Sequence, residues 1–246
     1  MYSVMSTSYK YIIQENMNIS VAMATYNGEK FIREQIESIL KDLKDGDELI
    51  ISDDHSQDDT LNIIHSLMDM DDRIHLLDGP GKGVVKNFEY VLKFCKNDII
   101  CLSDQDDIWL EGKREKIVSC FANQNVELIT HNSKLIDKYG DSIKDVEWVK
   151  MRHGVLRNLI KSCYFGCCMS FRRNCLQYIL PFPSNLNAHD QYIGVIFEKR
   201  KTSFFIDDVL LKHRLHGNNF SQPLSLINKI KFRIVLISCY LHGGNR

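Results

Sequence analysis

Residues 99–107 read IICLSDQDD: Ile99, Ile100, Cys101 and Leu102 form a short apolar run, and Ser103-Asp104-Gln105-Asp106-Asp107 follows it directly. An apolar run of that length is a buried strand, and buried strands alternating with helical segments belong to a mostly parallel sheet covered on both faces. The carboxylates at its end have two readings. Either Asp104 or Asp106 caps a helix beginning near Glu111, or the run holds a hard divalent cation whose remaining coordination positions suit phosphate oxygens.

Upstream, the same unit recurs. Ile19 to Ala24 is a strand ended by Thr25-Tyr26-Asn27-Gly28, and Phe31, Ile32, Ile36, Ile39, Leu40 and Leu43 then fall at helical spacing. Glu48 to Ser52 is a second strand, followed by Asp53-Asp54-His55-Ser56 and a helix carrying Leu61, Ile63, Ile64, Leu67 and Met68. A strand at Ile74 to Leu77, a Gly79-Pro80-Gly81-Lys82-Gly83 loop and a helix through Phe88, Val91, Leu92 and Phe94 lead back to residue 99. In such α/β sheets ligands bind outside the carboxyl ends of the strands, where Tyr26, Asp54 and the acidic run all stand. Downstream, Val126 to Thr130 and Tyr164 to Phe171 read as strands and Gln191 to Glu198 as a short helix, which predicts a mixed sheet.

A net charge of −1 over 246 residues gives no electrostatic basis for broad nucleic-acid binding, so no nucleic-acid partner is expected. The 44% apolar content supports one large core. The eight cysteines lack paired C-x-x-C spacing and read as small buried hydrophobes kept reduced; a zinc set at Cys163, Cys167, Cys168 and Cys175 is the alternative. Met1 to Asn18 is polar, unlike a secretory leader, and no apolar run reaches the ~18 residues of a spanning helix. The expectation is a cytoplasmic protein. The tail from Leu224 to Leu241 interleaves Lys229, Lys231 and Arg233 with apolar residues. It reads as an amphipathic helix packed on the domain, or as a peripheral contact with anionic lipid at the inner face of the plasma membrane.

Four stretches in order carry a resemblance: SVAMATYNGEKFIREQIESIL from Ser20, ISDDHSQDDT from Ile51, ICLSDQDDIW from Ile100, and HDQY from His189 with HRLHGNNFS from His213. Over roughly residues 19 to 221 the chain resembles the family 2 glycosyltransferases, in the rhamnosyltransferase-like branch that makes bacterial surface polysaccharides. The resemblance implies an α/β fold of the GT-A nucleotide-binding type, with a mostly parallel mixed central sheet flanked by helices. It also implies a divalent metal, Mg2+ or Mn2+, a nucleotide-sugar donor, a saccharide or lipid-linked saccharide acceptor, and inversion at the anomeric carbon. The expected organisation is an extension at 1–18, a GT-A domain at 19–221 (nucleotide-binding half 19–110, acceptor half 111–221) and an amphipathic C-terminal helix at 222–246.

Carried over residue by residue, the resemblance implies that Tyr26 packs on the base with Asn27 beside it, and that Asp54 hydrogen-bonds the base edge. Asp106 is implied as the metal ligand, with Asp104 on ribose, metal or metal-bound water, and Asp107 as a weaker claimant. Asp190 matches the inverting base, although a helix N-cap is the other reading of that residue. His189, where many relatives carry Glu, tunes or orients Asp190 or joins Trp109 as a wall for sugar or acceptor; an aromatic anchor for the next helix is the other reading of Trp109. Arg214 is implied as a phosphate ligand and His216 as a metal or phosphate ligand, within a closing segment that also holds His213 and a polar Gly217-Asn218-Asn219 loop. Lys86 and Asn87, after the glycine loop, are expected to reach ribose or phosphate, while Asp53 and Ser56 orient a turn or cap a helix. A sugar-phosphate nucleotidyltransferase and a catalytically inactive binding module are the alternatives. The donor is expected to be dTDP-rhamnose or a UDP-hexose.

Overall fold

The structure is a computed structural model that describes residues 17–123, 125–143, 154–160, 162–217 and 226–242. Strand β1 (Ile19–Thr25) is buried along its whole length, and its side chains alternate between two cores. Ile19, Val21 and Met23 enter one, Ala22 and Ala24 the other, as the period of two in a strand requires. Helix α1 (Ile32–Leu40) covers the first core with Ile32, Ile36 and Ile39, which recur at helical spacing. Strand β2 (Glu48–Asp53), helix α2 (Thr60–Met68), strand β3 (Ile74–Asp78), helix α3 (Val84–Val91) and strand β4 (Ile99–Ser103) repeat the pattern. β3, β2, β1 and β4 lie side by side in that order, all parallel. The order reverses between β1 and β4, which opens a crevice at their carboxyl ends.

Beyond β4 the sheet becomes mixed, as expected. A two-residue strand β5 (Ile108–Trp109) precedes helix α4 (Lys113–Phe121), whose N-cap is Gly112 with no side-chain cap. The capping reading of Asp104 and Asp106 therefore fails. Strand β6 (Leu128–Ile136) runs six residues past the expected end at Thr130 and pairs in parallel with β8 (Ser203–Arg214), the full order being β3-β2-β1-β4-β7-β6-β8-β5. The expected strand from Tyr164 to Phe171 is corrected: Gly166–Cys168 forms a 3-10 turn, and only Met169–Arg172 is strand β7, antiparallel to β4 and β6. Short helices α5 (Val155–Ile160) and α6 (Leu176–Ile179) lead to α7 (His189–Arg200), longer at both ends than the expected 191–198. Its N-cap is Ala188, so Asp190 is not the cap.

Helix α8 (Leu226–His242) lies within the predicted tail. The extension 1–16, the stretch 218–225 with Asn218 and Asn219, and the last residues 243–246 lie outside the described residues. All eight cysteines are free thiols, six of them buried. Among the described residues the four cysteines of the zinc alternative do not gather into a common cluster; the compact ligand-type group is Asp107, Cys167 and His213. No helix of the described residues is long and apolar enough to cross a membrane.

Candidate active site

The crevice between β1 and β4 is held by one side chain that the motifs pass over. Gln105 accepts the Thr25 hydroxyl at 2.5 Å and the Tyr26 N–H at 2.9 Å through Oε1, and donates from Nε2 to the Tyr26 carbonyl at 3.1 Å. The β1 turn and the acidic run are thus tied together. A Cβ at Gly28 would lie 2.6 Å from that same Oε1, so only glycine lets the two segments approach. Tyr26 presents its ring to solvent at 53% exposure, as a stacking surface needs. Asn27, at φ +48, accepts from the Gln57 N–H and donates its own N–H to Ser56 Oγ. Asp53 accepts both the N–H and the hydroxyl of Ser56, which confirms the turn-orienting role for that pair; no side-chain cap closes α2.

Asp54 stands beside Tyr26 because its N–H donates to the Thr25 carbonyl at 2.9 Å. Its carboxylate accepts the N–H groups of Lys82 (3.2 Å) and Gly83 (2.7 Å), so the glycine loop folds onto it. Gly83 takes φ +83, a conformation that favours glycine. Lone pairs remain on both oxygens for a base edge. Asn87 faces the interior in place of the crevice. Asn87 is buried, accepts the Ser52 hydroxyl and donates to the Ser52 and Thr25 carbonyls, so it braces the strand ends from within. Lys86 pairs with Glu89 at 2.5 Å.

Across the crevice the acidic run meets the end of β8. His216 Nε2 lies 2.7 Å from Asp106 Oδ2, bringing together the two residues implied as metal ligands. Burial and the neighbouring Asp107 push the Asp106 carboxyl up, against the pull of His216. The Asp104 carboxyl is pushed well up by burial and by Asp107, Asp106 and Asp190. Burial and neighbouring carboxylates hold both Asp104 and Asp106 up, which marks a site short of positive charge that a divalent ion on hard oxygen donors would relieve. Asp107 faces inward and takes His213 Nδ1 at 2.8 Å and the Arg214 N–H at 3.1 Å. Burial pulls the His213 imidazole down, but Asp107, with Asp104 and Asp106 behind it, outweighs this and holds it at about 9.

Arg214 reaches the site, yet in a buried pose. Its Nε donates to the Asp106 carbonyl at 2.9 Å, Nη2 pairs with Glu34 at 2.6 Å, and its guanidinium lies over the Phe31 ring, 4.9 Å from the centroid. Phe31 also packs on His216, with ring centroids 4.7 Å apart. Gln35, on the buried face of α1, donates to Ser103 Oγ and the Asp104 carbonyl. A polar residue inside an apolar helix stripe was its signal. Gln105 and Glu34 left no comparable signal.

Asp190 lies in the first turn of α7, with Oδ1 accepting the Gln191 N–H at 2.7 Å. Burial raises its carboxyl to about 6, against backbone donors at Gln191 and Gly166. Two expected walls are not open surfaces. Trp109 is buried under the Lys113 ammonium, 4.1 Å from the ring centroid. His189 is stacked between Phe88 (4.0 Å) and Phe182 (6.5 Å), and burial drives its imidazole down to about 3. It positions the start of α7 as a neutral ring.

A family model described as glycosyl transferase family 2 matches residues 20–180. A dTDP-rhamnosyl transferase, RfbG of Shigella flexneri, is 32% identical over 80% of this chain and 72% of its own length. An Escherichia coli UDP-Glc:alpha-D-GlcNAc-diphosphoundecaprenol beta-1,3-glucosyltransferase, WfgD, is 27% identical over 82% and 79%. Among solved structures, S. aureus TarS 1-349 with UDP-GlcNAc superposes at TM-score 0.69 and 19% identity, covering 94% of this chain and 68% of that one. A Pyrobaculum calidifontis mannosyltransferase with GDP-Man and Mn2+ superposes at TM-score 0.64 and 15% identity, covering 87% and 65%. These structural likenesses establish the fold.

Proposed function

The chain is a glycosyltransferase of family 2, and from that membership we propose that it is an inverting, metal-dependent enzyme moving a hexose from a nucleotide sugar to a saccharide or lipid-linked saccharide. The observation that carries this reading is that Asp190, a carboxyl raised to about 6 by burial at the head of α7, lies close enough to the acidic run to help push the Asp104 carboxyl up. A carboxylate with that affinity for a proton is a suitable base near neutral pH. The acceptor hydroxyl gives its proton to Asp190 as its oxygen bonds to the anomeric carbon. The bond from that carbon to the diphosphate oxygen breaks, and the electron pair leaves with the nucleoside diphosphate. Attack opposite the leaving group inverts the centre.

Tyr26 and Asp54 hold the base by stacking and by accepting a base N–H. Asp106 and His216 would hold Mg2+ or Mn2+, which when bound offsets the negative charge on the departing diphosphate. Asp104 serves ribose or the same ion. Arg214 and Glu34 keep the end of β8 against Asp106. The similarity to a dTDP-rhamnosyl transferase and to a UDP-Glc-dependent enzyme supports dTDP-rhamnose or a UDP-hexose as donor, in the synthesis of a cell-surface polysaccharide. Residues 19–110 then serve the donor and 111–221 the acceptor.

A panel of nucleotide sugars with Mn2+ tests the reading. One donor should raise the melting temperature and release its nucleoside diphosphate, because a ligand bound only by the native state stabilises it. Pyrophosphate released from a nucleoside triphosphate and a sugar phosphate would instead identify a nucleotidyltransferase.

A further inference from the structure

Helix α8 buries Phe232 and Leu236 in the core beneath α7, yet Ile227, Ile230, Ile234, Ile237 and Leu241 are 43–66% exposed. At about 100° per residue these five fall within one strip roughly 80° wide on the outward side. Lys231 borders the strip on one flank and Arg233 on the other, and the helix carries no acidic residue. In a chain of net charge −1, that is a local concentration of cations around bare aliphatic surface. Neither a packed helix nor an ordinary solvated face accounts for five large aliphatic side chains in a row.

The same helix is tied to the catalytic side. Arg233 donates to Gln191 Oε1 at 2.8 Å, next to Asp190, and eight residues further along both helices Lys199 donates to the Leu241 carbonyl at 3.3 Å. The two helices therefore run alongside each other in the same direction, and the segment with Ile227 and Ile230 projects past the Asp190 end of α7.

We propose that the outward strip of α8 docks in the interfacial layer of an anionic bilayer and presents the Asp190 end of α7 to acceptors carried on lipid. This rests on the glycosyltransferase reading for the acceptor, while the docking itself rests on the helix surface. The helix lies in the plane of the membrane; it is not a span. Aliphatic side chains enter the acyl boundary, and Lys231 and Arg233 lie at the level of the phosphate headgroups.

The experiment is vesicle co-sedimentation of the full chain, with phosphatidylcholine alone or mixed with phosphatidylglycerol. The wild type should pellet with the mixed vesicles, and raised salt should weaken binding. Ile230→Gln with Ile234→Gln should weaken it by about tenfold or more, as expected from losing two aliphatic insertions. Lys231→Glu should weaken it severalfold. Because these side chains point outward, melting temperature and turnover of a soluble nucleotide sugar should not change. Failure of the wild type to pellet, or equal pelleting of the variants, would overturn the proposal. So would a wild-type dimer that Ile230→Gln with Ile234→Gln converts to monomer without any vesicle binding, which would make the strip a contact between copies. Vesicle binding without turnover of any nucleotide sugar would leave docking intact and remove the proposed transfer to a lipid-linked acceptor.

Discussion

On the β1 and β2 side of the crevice, Tyr26, Asn27 and Asp54 are fixed by hydrogen bonds with Gln105, Ser56, Gln57 and the Lys82-Gly83 loop. On the opposite side, Asp106, Asp190, Arg214 and His216 come from segments up to 110 residues apart and meet through charge. The first region is held by hydrogen bonds that need no ligand. The second is an excess of carboxylates balanced by two histidines and one arginine, so its geometry depends on what positive charge it holds. A donor site built the first way and a reacting site built the second way should respond differently to substitution, pH and metal.

The largest expected effect is on the charge-dependent side. Asp106→Asn should lower transfer by about 10³-fold, the loss expected when several kcal/mol of charge stabilisation disappear, and should weaken the response to Mn2+. Steady-state release of nucleoside diphosphate measures it, and an unchanged Mn2+ dependence would separate Asp106 from the metal.

Protonation comes next. With its carboxyl raised to about 6, Asp190 should make kcat/KM fall about tenfold per pH unit below that value and level off above it. The same shift affects stability. Because the folded state holds the proton more tightly than the unfolded chain, this group's stabilising contribution is present below about pH 4 and lost as pH rises through about 6. Asp190→Asn should therefore gain on the wild type between pH 4 and pH 8 by on the order of 2–3 kcal/mol, read by denaturant titration at both pH values. No change in the difference would mean that Asp190 titrates normally.

Arg214→Met should cost about 2 kcal/mol of stability, since it removes donors from the Asp106 carbonyl in a buried setting, while exposed Glu34 can turn to water. The smallest effect belongs to the hydrogen-bonded side. Gln105→Ala should cost about 1 kcal/mol and raise the donor KM severalfold with kcat nearly unchanged, because it loosens Tyr26 without touching the reacting groups. A fall in kcat without a change in KM would place Gln105 on the wrong side of the comparison.

The contrast also explains what the sequence disclosed. β1 to β4 and their helices were legible because each is specified by its own periodicity, and so were the positions of Tyr26, Asp54, Asp106 and Asp190 at element ends. The inward role of Asn87 is not legible in the sequence, because a polar residue at a helix start looks the same whether it faces a ligand or, as here, the Ser52 carbonyl. The 3-10 turn at Gly166–Cys168 interrupts an apolar run whose composition reads as strand, and β5 is too short to leave a pattern. His189 shows no sign in its neighbours of the Phe88 and Phe182 rings that enclose it. For α8, interleaved charges indicated an amphipathic helix, but not that apolar side chains occupy both its inward and outward sides.

The central claim, that one side of the crevice binds and the other reacts, is tested most directly by calorimetric titration of UDP and dTDP with Mn2+ against the wild type and Asp190→Asn, alongside transfer from the donor found in the panel. Nucleoside diphosphate binding should stay within about twofold of wild type in Asp190→Asn, with transfer reduced by about 10²-fold or more, roughly the range of general-base catalysis. Transfer by Asp190→Asn at near the wild-type rate would contradict it.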